Sequence, residues 1–430
     1  MESMLIIGLA VLLIVLIFVR MEIAFALGII GITWLSLEDQ SMTIGVSRVW
    51  GGMDSFVLLA IPFFLFAGEL MNEAKITPRL VKFANVTIGR VRGGLAQANV
   101  FASMVFAGIT GAAVADVAAL GRIFVPEMAA EGYDRDFSAA VTAASSLVGP
   151  IIPPSIIIVI YGGVTQTSVG GLFAAAIIPG IILGFSLMIL VGVLSWKNDY
   201  PKYEETVERS EYPRLLLDSA LALTMPVIIV GGILAGVMTP TEAAAVACAY
   251  AIFLGLVIFR TLNPNGIYRA LKDSLLRSAQ LYLIIGFAMV ISWMLAREGV
   301  PGMLAEAIAN QGLGIVGFMI VVLFVLLFIG TWLEIGAAAI ILGPTLHDMA
   351  LQLGIHEFQF GIMFVVALCF GLITPPVGIC LFAASSVSNT PVWPIAKRIV
   401  PFFVVDLAVI MLIIYFPELT LWLPRQFGFM

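Results

Sequence analysis

Charge is scarce in this chain: Lys, Arg, Asp and Glu make up 11% of 430 residues, 61% are hydrophobic, and the mean hydropathy is +1.11. No soluble domain of this length hides so much apolar surface, so the composition points to an all-α polytopic membrane protein. Histidine and cysteine are almost missing: His347, His356, Cys248, Cys369 and Cys380 are widely spaced, with no CxxC. This leaves no redox or thiolate-metal set, and no histidine pair for an in-membrane haem. The cysteines read as small core residues. There is no Gly-Lys pair, hence no P-loop and no ATP-driven pump. No His or Lys lies near the serines in apolar sequence, so an intramembrane hydrolase lacks its base, and the chain is not read as an enzyme. The net charge of −6 is spread in short clusters between apolar runs, which gives nucleic acid no footprint and leaves lipid and membrane proteins as the partner surfaces.

What is present is apolar sequence in lengths that cross a bilayer. Spanning candidates lie near 4–19, 21–37, 55–71, 135–164, 170–195, 219–238, 241–259, 279–296, 359–386 and 399–416, about ten spans. The stretches 93–130 and 313–350 are each split by small residues, GITGAAVAD and IGTWLEIGAAA, and read as re-entrant hairpins. With both hairpins entering and leaving on one side, the basic loops at 72–92, 260–277 and 387–398 share one face, which is cytoplasmic by the positive-inside bias. The first apolar run follows Glu2 with no Lys or Arg ahead of it, so it reads as a retained span with both termini outside.

The segment GPIIPPS, residues 149–155, breaks one apolar run, and GLITPPVG, residues 371–378, breaks another. The offset 371 − 149 = 222 also pairs Gly132 with Gly354, Pro153 and Pro154 with Pro375 and Pro376, and Pro179 with Pro401, without a gap. Four spans and one hairpin separate the breaks, so the second broken helix runs antiparallel to the first and the repeat is inverted. The expected divisions are scaffold spans at 1–54, repeat one at 55–182, scaffold and connection at 183–278, repeat two at 279–404, and a last span end and tail at 405–430.

Broken backbone persists in a bilayer only where protein, water or an ion satisfies it. Prolines remove donors and leave carbonyls free. Carbonyls and hydroxyls suit a dehydrated Na+, so the candidate sodium ligands are Gly108, Thr110, Gly111, Ser145 and Gly149 around the first break, and Gly330, Gly336, Gly371, Thr374 and Gly378 around the second. Thr331 lies within the second tip. Half-helix N-termini at that depth hold a carboxylate, with Ser146, Ser155, Asp116 and Glu334 as candidate substrate contacts. Asp116 and Glu334 are taken as equivalent acids lining one cavity, whereas Glu69 and Asp406 read as interfacial. Trp34, Trp50, Trp332, Trp393 and Trp422 read as interface anchors.

The stretch GGILAGVMTPTEAAAVA at 231–247, with FAGITGAAVADVAALG, SSLVGPIIPPS and FGLITPPVG, resembles the large membrane subunit of TRAP transporters over essentially the whole chain. The resemblance implies an elevator transporter in the inner membrane that imports an organic acid, a sugar acid such as sialic acid or a four-carbon dicarboxylate. It also implies Na+ as coupling ion with no other cofactor, a small four-helix membrane subunit, and a periplasmic binding protein. The hairpins and broken helices would move together, hinged on arms at 72–92 and 297–312. The first tip, GITGAAVAD, is poorer in serine than many relatives, so Thr110 would carry the hydroxyl role there. The second has Glu334 where Asp is frequent. A stand-alone Na+-coupled carboxylate carrier is the competing function. Local physics explains TPTEAAA without a second purpose: Thr239 caps a helix, Pro240 suits its first turn, and Glu242 completes a capping box. As an outside turn it also offers a docking point for the binding protein.

Overall fold

The computed structural model describes residues 8–203, 212–300, 302–303 and 314–430, except residues 10, 14, 17, 18 and 20 and the side chains of Ile109 and Thr110. Among its described residues every regular element is a helix, apart from one isolated bridge between Arg92 and Lys202.

In chain order the helices are α1 (Ile23–Leu37), α2 (Met42–Met53), α3 (Ala60–Glu73), α4 (Ile76–Ile88), α5 (Gly94–Thr110), α6 (Ala113–Ala130), α7 (Arg135–Ser145), α8 (Ile156–Thr165) and α9 (Val169–Lys197). Then follow α10 (Tyr212–Leu234), α11 (Pro240–Phe253), α12 (Pro264–Arg297), α13 (Gly314–Gly330), α14 (Ile335–Gln352), α15 (Glu357–Gly371), α16 (Ile379–Ser388), α17 (Val392–Tyr415) and α18 (Glu418–Gln426). Among the described residues five helices are long and apolar enough to cross a bilayer: α9, α10, α11 with the π-turn that extends it to Ile258, α12 and α17. Half of the first candidate span, 4–19, and most of the second arm fall outside the described residues.

The helix starts are written in the sequence. Thr239 Oγ1 accepts from the Glu242 N–H at 3.3 Å while Glu242 Oε2 accepts from the Thr239 N–H at 2.8 Å, the capping box expected for TPTE. Asn263 caps α12 through the Gly266 N–H at 2.7 Å, with Pro264 in the first position, and Ser168 caps α9 through the Gly171 N–H at 3.2 Å.

The repeat survives in the backbone. Adding 222 to α6 gives 335–352, the bounds of α14, and adding it to α7 and α8 gives 357–367 and 378–387, within a few residues of α15 and α16. Around these elements α3 packs between α11 and α12, with α1 and α2 against α12. The apolar run 170–195, which straddles the expected boundary between repeat one and the scaffold, becomes α9 and packs mainly on α5, α17 and α18.

One end of the bundle gathers Gly89, Asp134, Asp136, Tyr203 and Arg398: Arg398 donates to Asp134 at 2.8 Å and to Asp136 at 3.1 Å, and the Tyr203 N–H donates to the Gly89 carbonyl at 3.0 Å. The other end gathers Gly170 with Phe429 and Gly171 with Phe358. Of the three basic loops, 72–92 and 260–277 are joined by the Arg269–Glu73 pair at 2.8 Å.

Trp34 overturns its sequence reading. It is fully buried, edge-on to Trp293 at 5.4 Å, because α1 packs against α12; Trp50, Trp393 and Trp422 are exposed.

Candidate functional site

At the first break α7 tightens into a 3-10 turn at Ser146–Val148, and the chain runs irregularly from Gly149 to Ser155 before α8 begins. Two hydroxyls serve carbonyls this break frees: Ser146 donates to Ala143 O at 2.7 Å, and Ser155 donates to Pro150 O while accepting from the Ile158 N–H. At the second break Thr374 Oγ1 donates to Phe370 O at 2.7 Å, and the chain enters α16 through Gly378 in the left-handed region, φ +64°. Both proline pairs, Pro153-Pro154 and Pro375-Pro376, carry a cis bond.

Each hairpin tip rests on its own repeat's break. Gly111 lies against Pro154 and Ser155: a Cβ there would stand 3.4 Å from Pro154 O. Gly330 and Gly371 cross backbone to backbone, since a Cβ on Gly371 would stand 2.6 Å from the Gly330 Cα, and the Gly378 N–H donates to Thr331 O at 3.2 Å. The structure thus brings Gly111 to the first break, and Gly330 to Gly371 and Gly378 at the second. Gly108 packs chiefly on Pro226 of α10, with Pro154 of the first break 3.8 Å from its built Cβ, and the Thr110 side chain lies outside the described residues.

Between the tips lies a cavity of about 450 Å³. Ala113 and Val114 open α6, Ile335 and Gly336 open α14, Ile156 opens α8 and Ile379 opens α16, and all six residues line this space. Four helix N-termini, two from each repeat, therefore converge on one site, each carrying partial positive charge. α8 and α14 are capped by the Ser155 and Glu334 side chains, whereas α6 and α16 begin at Ala112 and Gly378 with no side-chain cap. The opposite wall is α12, where Arg277 faces the cavity and pairs with Glu69 of α3 at 3.2 Å.

Several sequence-predicted residues sit elsewhere. Asp116 is fully buried with its carboxyl against Gly149, and Cys380 bonds Ser146 beside it; Asp116 does not line the cavity that Glu334 lines. The two acids are not repeat equivalents either: 334 − 222 = 112 places Glu334 opposite Ala112. Ser145, Ser146 and Ser155 are buried, and Ser146 and Ser155 stand outside the cavity lining. Gly336 lies on the lining, 3.2 Å by its built Cβ from Leu281 of α12. Glu69 is ion-paired with Arg277 beside the cavity. Asp406, read as interfacial, is fully buried in mid-α17, with no hydrogen bond to either carboxyl oxygen among the described residues, because α17 packs on α9, α7 and α15 there.

Other site residues escaped the sequence reading. Asn99 donates to Thr142 at 2.7 Å and Ser103 to Ser145 at 2.9 Å, a buried polar ladder between α5 and α7. His347 of α14 meets Tyr161 of α8 at 2.9 Å, tying the second hairpin to the first broken helix. Arg277 carried a signal, as the last cation of a basic loop before an apolar run; the ladder carried none beyond polar residues inside a hairpin.

Paired hairpins, paired breaks and a central cavity lined by helix starts define a membrane transport component. The chain belongs to the DctM component family of tripartite ATP-independent periplasmic transporters, whose sequence model matches residues 10–419. It is 37% identical over 413 residues to the sialic acid TRAP transporter large permease protein SiaM of Vibrio cholerae, covering 96% of each chain. It is 36% identical over 404 residues to the C4-dicarboxylate TRAP transporter large permease protein DctM of Pseudomonas aeruginosa, covering 94% of each. Its fold is shared with the YdaH transporter of Alcanivorax borkumensis, at a TM-score of 0.63 over 90% of this chain and 88% of that one, with 15% identity.

Proposed function

We propose that this chain is the inner-membrane permease of a Na+-driven importer of an organic acid, working with a small membrane subunit and a periplasmic binding protein. The observation that carries the reading is the convergence of four helix N-termini on one cavity of about 450 Å³, room for a sugar acid or a four-carbon dicarboxylate. A carboxylate placed there gains from the uncapped starts of α6 and α16 without a buried lysine. The cation sites fall where each tip meets its break, with carbonyl and hydroxyl donors; Gly111, Gly149 and Ser145 serve one, and Gly330, Gly371, Thr374 and Gly378 the other. Relatives that carry sialic acid and C4-dicarboxylates frame the substrate class.

Movement of hairpins and broken helices as one body keeps these contacts intact while α3 and α12 stay fixed, which costs less than remaking several polar contacts in a low-dielectric interior. The test is uptake into proteoliposomes holding both membrane subunits, with binding protein outside. Uptake should vanish when external Na+ is replaced by K+ at constant pH, and when the binding protein is omitted. Uptake that persists in K+ refutes sodium coupling, and uptake without binding protein favours the stand-alone carrier. Cysteines at Ala112 and Leu281, on facing walls of the cavity, should crosslink in one state and block uptake reversibly. Normal transport by the crosslinked protein would replace the elevator with a fixed site and local gates.

A further inference from the structure

A second cavity of about 450 Å³ lies at the foot of α10, on the face that carries the basic loops, and it is lined by Lys75, Arg79, Lys82, Arg214 and Asp218. These groups sum to 4 − 1 = +3 in formal charge. Arg79 is held in place, paired with Asp218 at 3.0 Å and stacked 3.8 Å over the Phe259 ring. Lys75 occupies the left-handed region, φ +56°, at the start of the arm helix α4, a conformation a non-glycine residue adopts only when its surroundings impose it. Beyond the pocket α10 exposes chiefly apolar side chains: Leu216 and Leu217 in its second turn and Val227 further along, with Tyr212 exposed at its start, while the exposed Thr224 hydroxyl is turned back onto the Leu221 carbonyl.

A cationic pocket at the end of an apolar ridge has the polarity of a phospholipid laid along the helix. We propose that this pocket seats the phosphate headgroup of an anionic phospholipid, with its acyl chains against α10. Free phosphate satisfies the same cations but leaves the ridge unused, and zwitterionic phosphatidylcholine brings its own cation into a pocket already positive. The site joins α4 to α10, so the bound lipid anchors the arm where it meets the rest of the bundle. This inference does not rest on the substrate or on the coupling ion.

The experiment is native mass spectrometry of the detergent-solubilised chain after incubation with phosphatidylglycerol, phosphatidylcholine or inorganic phosphate. Wild type should retain one phosphatidylglycerol and no phosphatidylcholine. Lys75→Gln with Arg214→Gln, which leaves the Arg79–Asp218 pair and its aromatic platform in place, should cut that retention about tenfold, the effect of losing roughly 1.4 kcal/mol of binding. Arg90→Gln with Lys202→Gln removes the same charge from the same face outside the pocket and should not change retention. Arg214→Glu is a second probe should the double variant unfold, and it should abolish retention. Equal retention by the pocket and control variants overturns the proposal, as does equal retention of phosphatidylcholine or binding of phosphate alone. If wild type gains lipid only once Glu204, Glu205, Glu208 and Glu211 are changed to Gln, the occupant is the chain's own acidic segment, and the proposal falls.

Discussion

The first helices of the two hairpins, α5 and α13, hold the same place in the two repeats and meet opposite surroundings. On α5, Asn99, Ser103 and Phe106 are at most 1% exposed; their partners at +222 on α13, Val321, Val325 and Phe328, are 40%, 42% and 65% exposed. The buried face is the one that carries the polar ladder to Thr142 and Ser145. In an apolar environment such bonds are held by geometry, because the alternative is an unsatisfied polar group. The exposed face is apolar and needs no partner in lipid. One backbone plan therefore carries a first hairpin locked inside protein and a second that turns one face of α13 outward while the rest of α13 packs along α15, crossing it at Gly330 and Gly371.

The widest separation between the hairpins should come from truncating that face. Phe106→Ala should lower stability by about 3–5 kcal/mol, whereas Phe328→Ala, where lipid fills the space, should stay within about 0.5 kcal/mol. Thermal unfolding in one detergent measures both, and equal losses would erase the distinction. Next, Gly371→Ala should cost about 1–3 kcal/mol and most of the uptake, because its Cβ meets Gly330 backbone that cannot step aside. Gly149→Ala meets mainly the Asp116 carboxyl and should lose less. A reversed order would mean that the first break is the more tightly packed of the two.

Much of this plan was legible in the chain. The breaks, the small-residue tips and the 222-residue offset depend on proline and glycine, whose backbone effects are local, and the TPTE cap is local too. Asn99–Thr142 and Tyr161–His347 are separated by 43 and 186 residues. Hydropathy cannot find such partners, because in a membrane bundle the lipid face and the protein interior are equally apolar. Asp406 and Trp34 were misread for that reason: nearness to the end of an apolar run does not say what packs against it. Asp116 and Glu334 were misread as equivalents because both are acids near tips, while the strict offset separates them by four residues, 338 − 334, the partner of Asp116 being Ala338.

The caps give a smaller test. Glu334 caps α14 by accepting from the Ala337 N–H at 3.0 Å, while Ala112 leaves α6 open, with extended backbone (φ −135°) that an Asp can adopt. Ala112→Asp should raise stability by about 0.5–1 kcal/mol, yet its tethered carboxylate should compete for the anion position and lower uptake several-fold. Glu334→Ala should lower stability by about 1 kcal/mol. If Ala112→Asp stabilises with uptake unchanged, the open start of α6 does not receive the substrate.

The finest difference lies between the breaks themselves. Thr374 has a hydroxyl where its repeat partner, Ile152, has none, as 374 − 222 = 152. That hydroxyl donates to Phe370 O at 2.7 Å, so its lone pairs remain available to a cation held at the second crossing. Thr374→Val keeps the shape and removes the oxygen, while Thr374→Ser keeps the oxygen and removes a methyl. With a single ligand lost among several, Thr374→Val should fold and need several-fold more Na+ for half-maximal uptake, on the order of 1 kcal/mol of ion binding. Thr374→Ser should stay near wild type, and Ile152→Thr should leave the sodium dependence unchanged. Should Val and Ser shift that dependence equally, the methyl is what matters, and Thr374 packs the break without touching the ion.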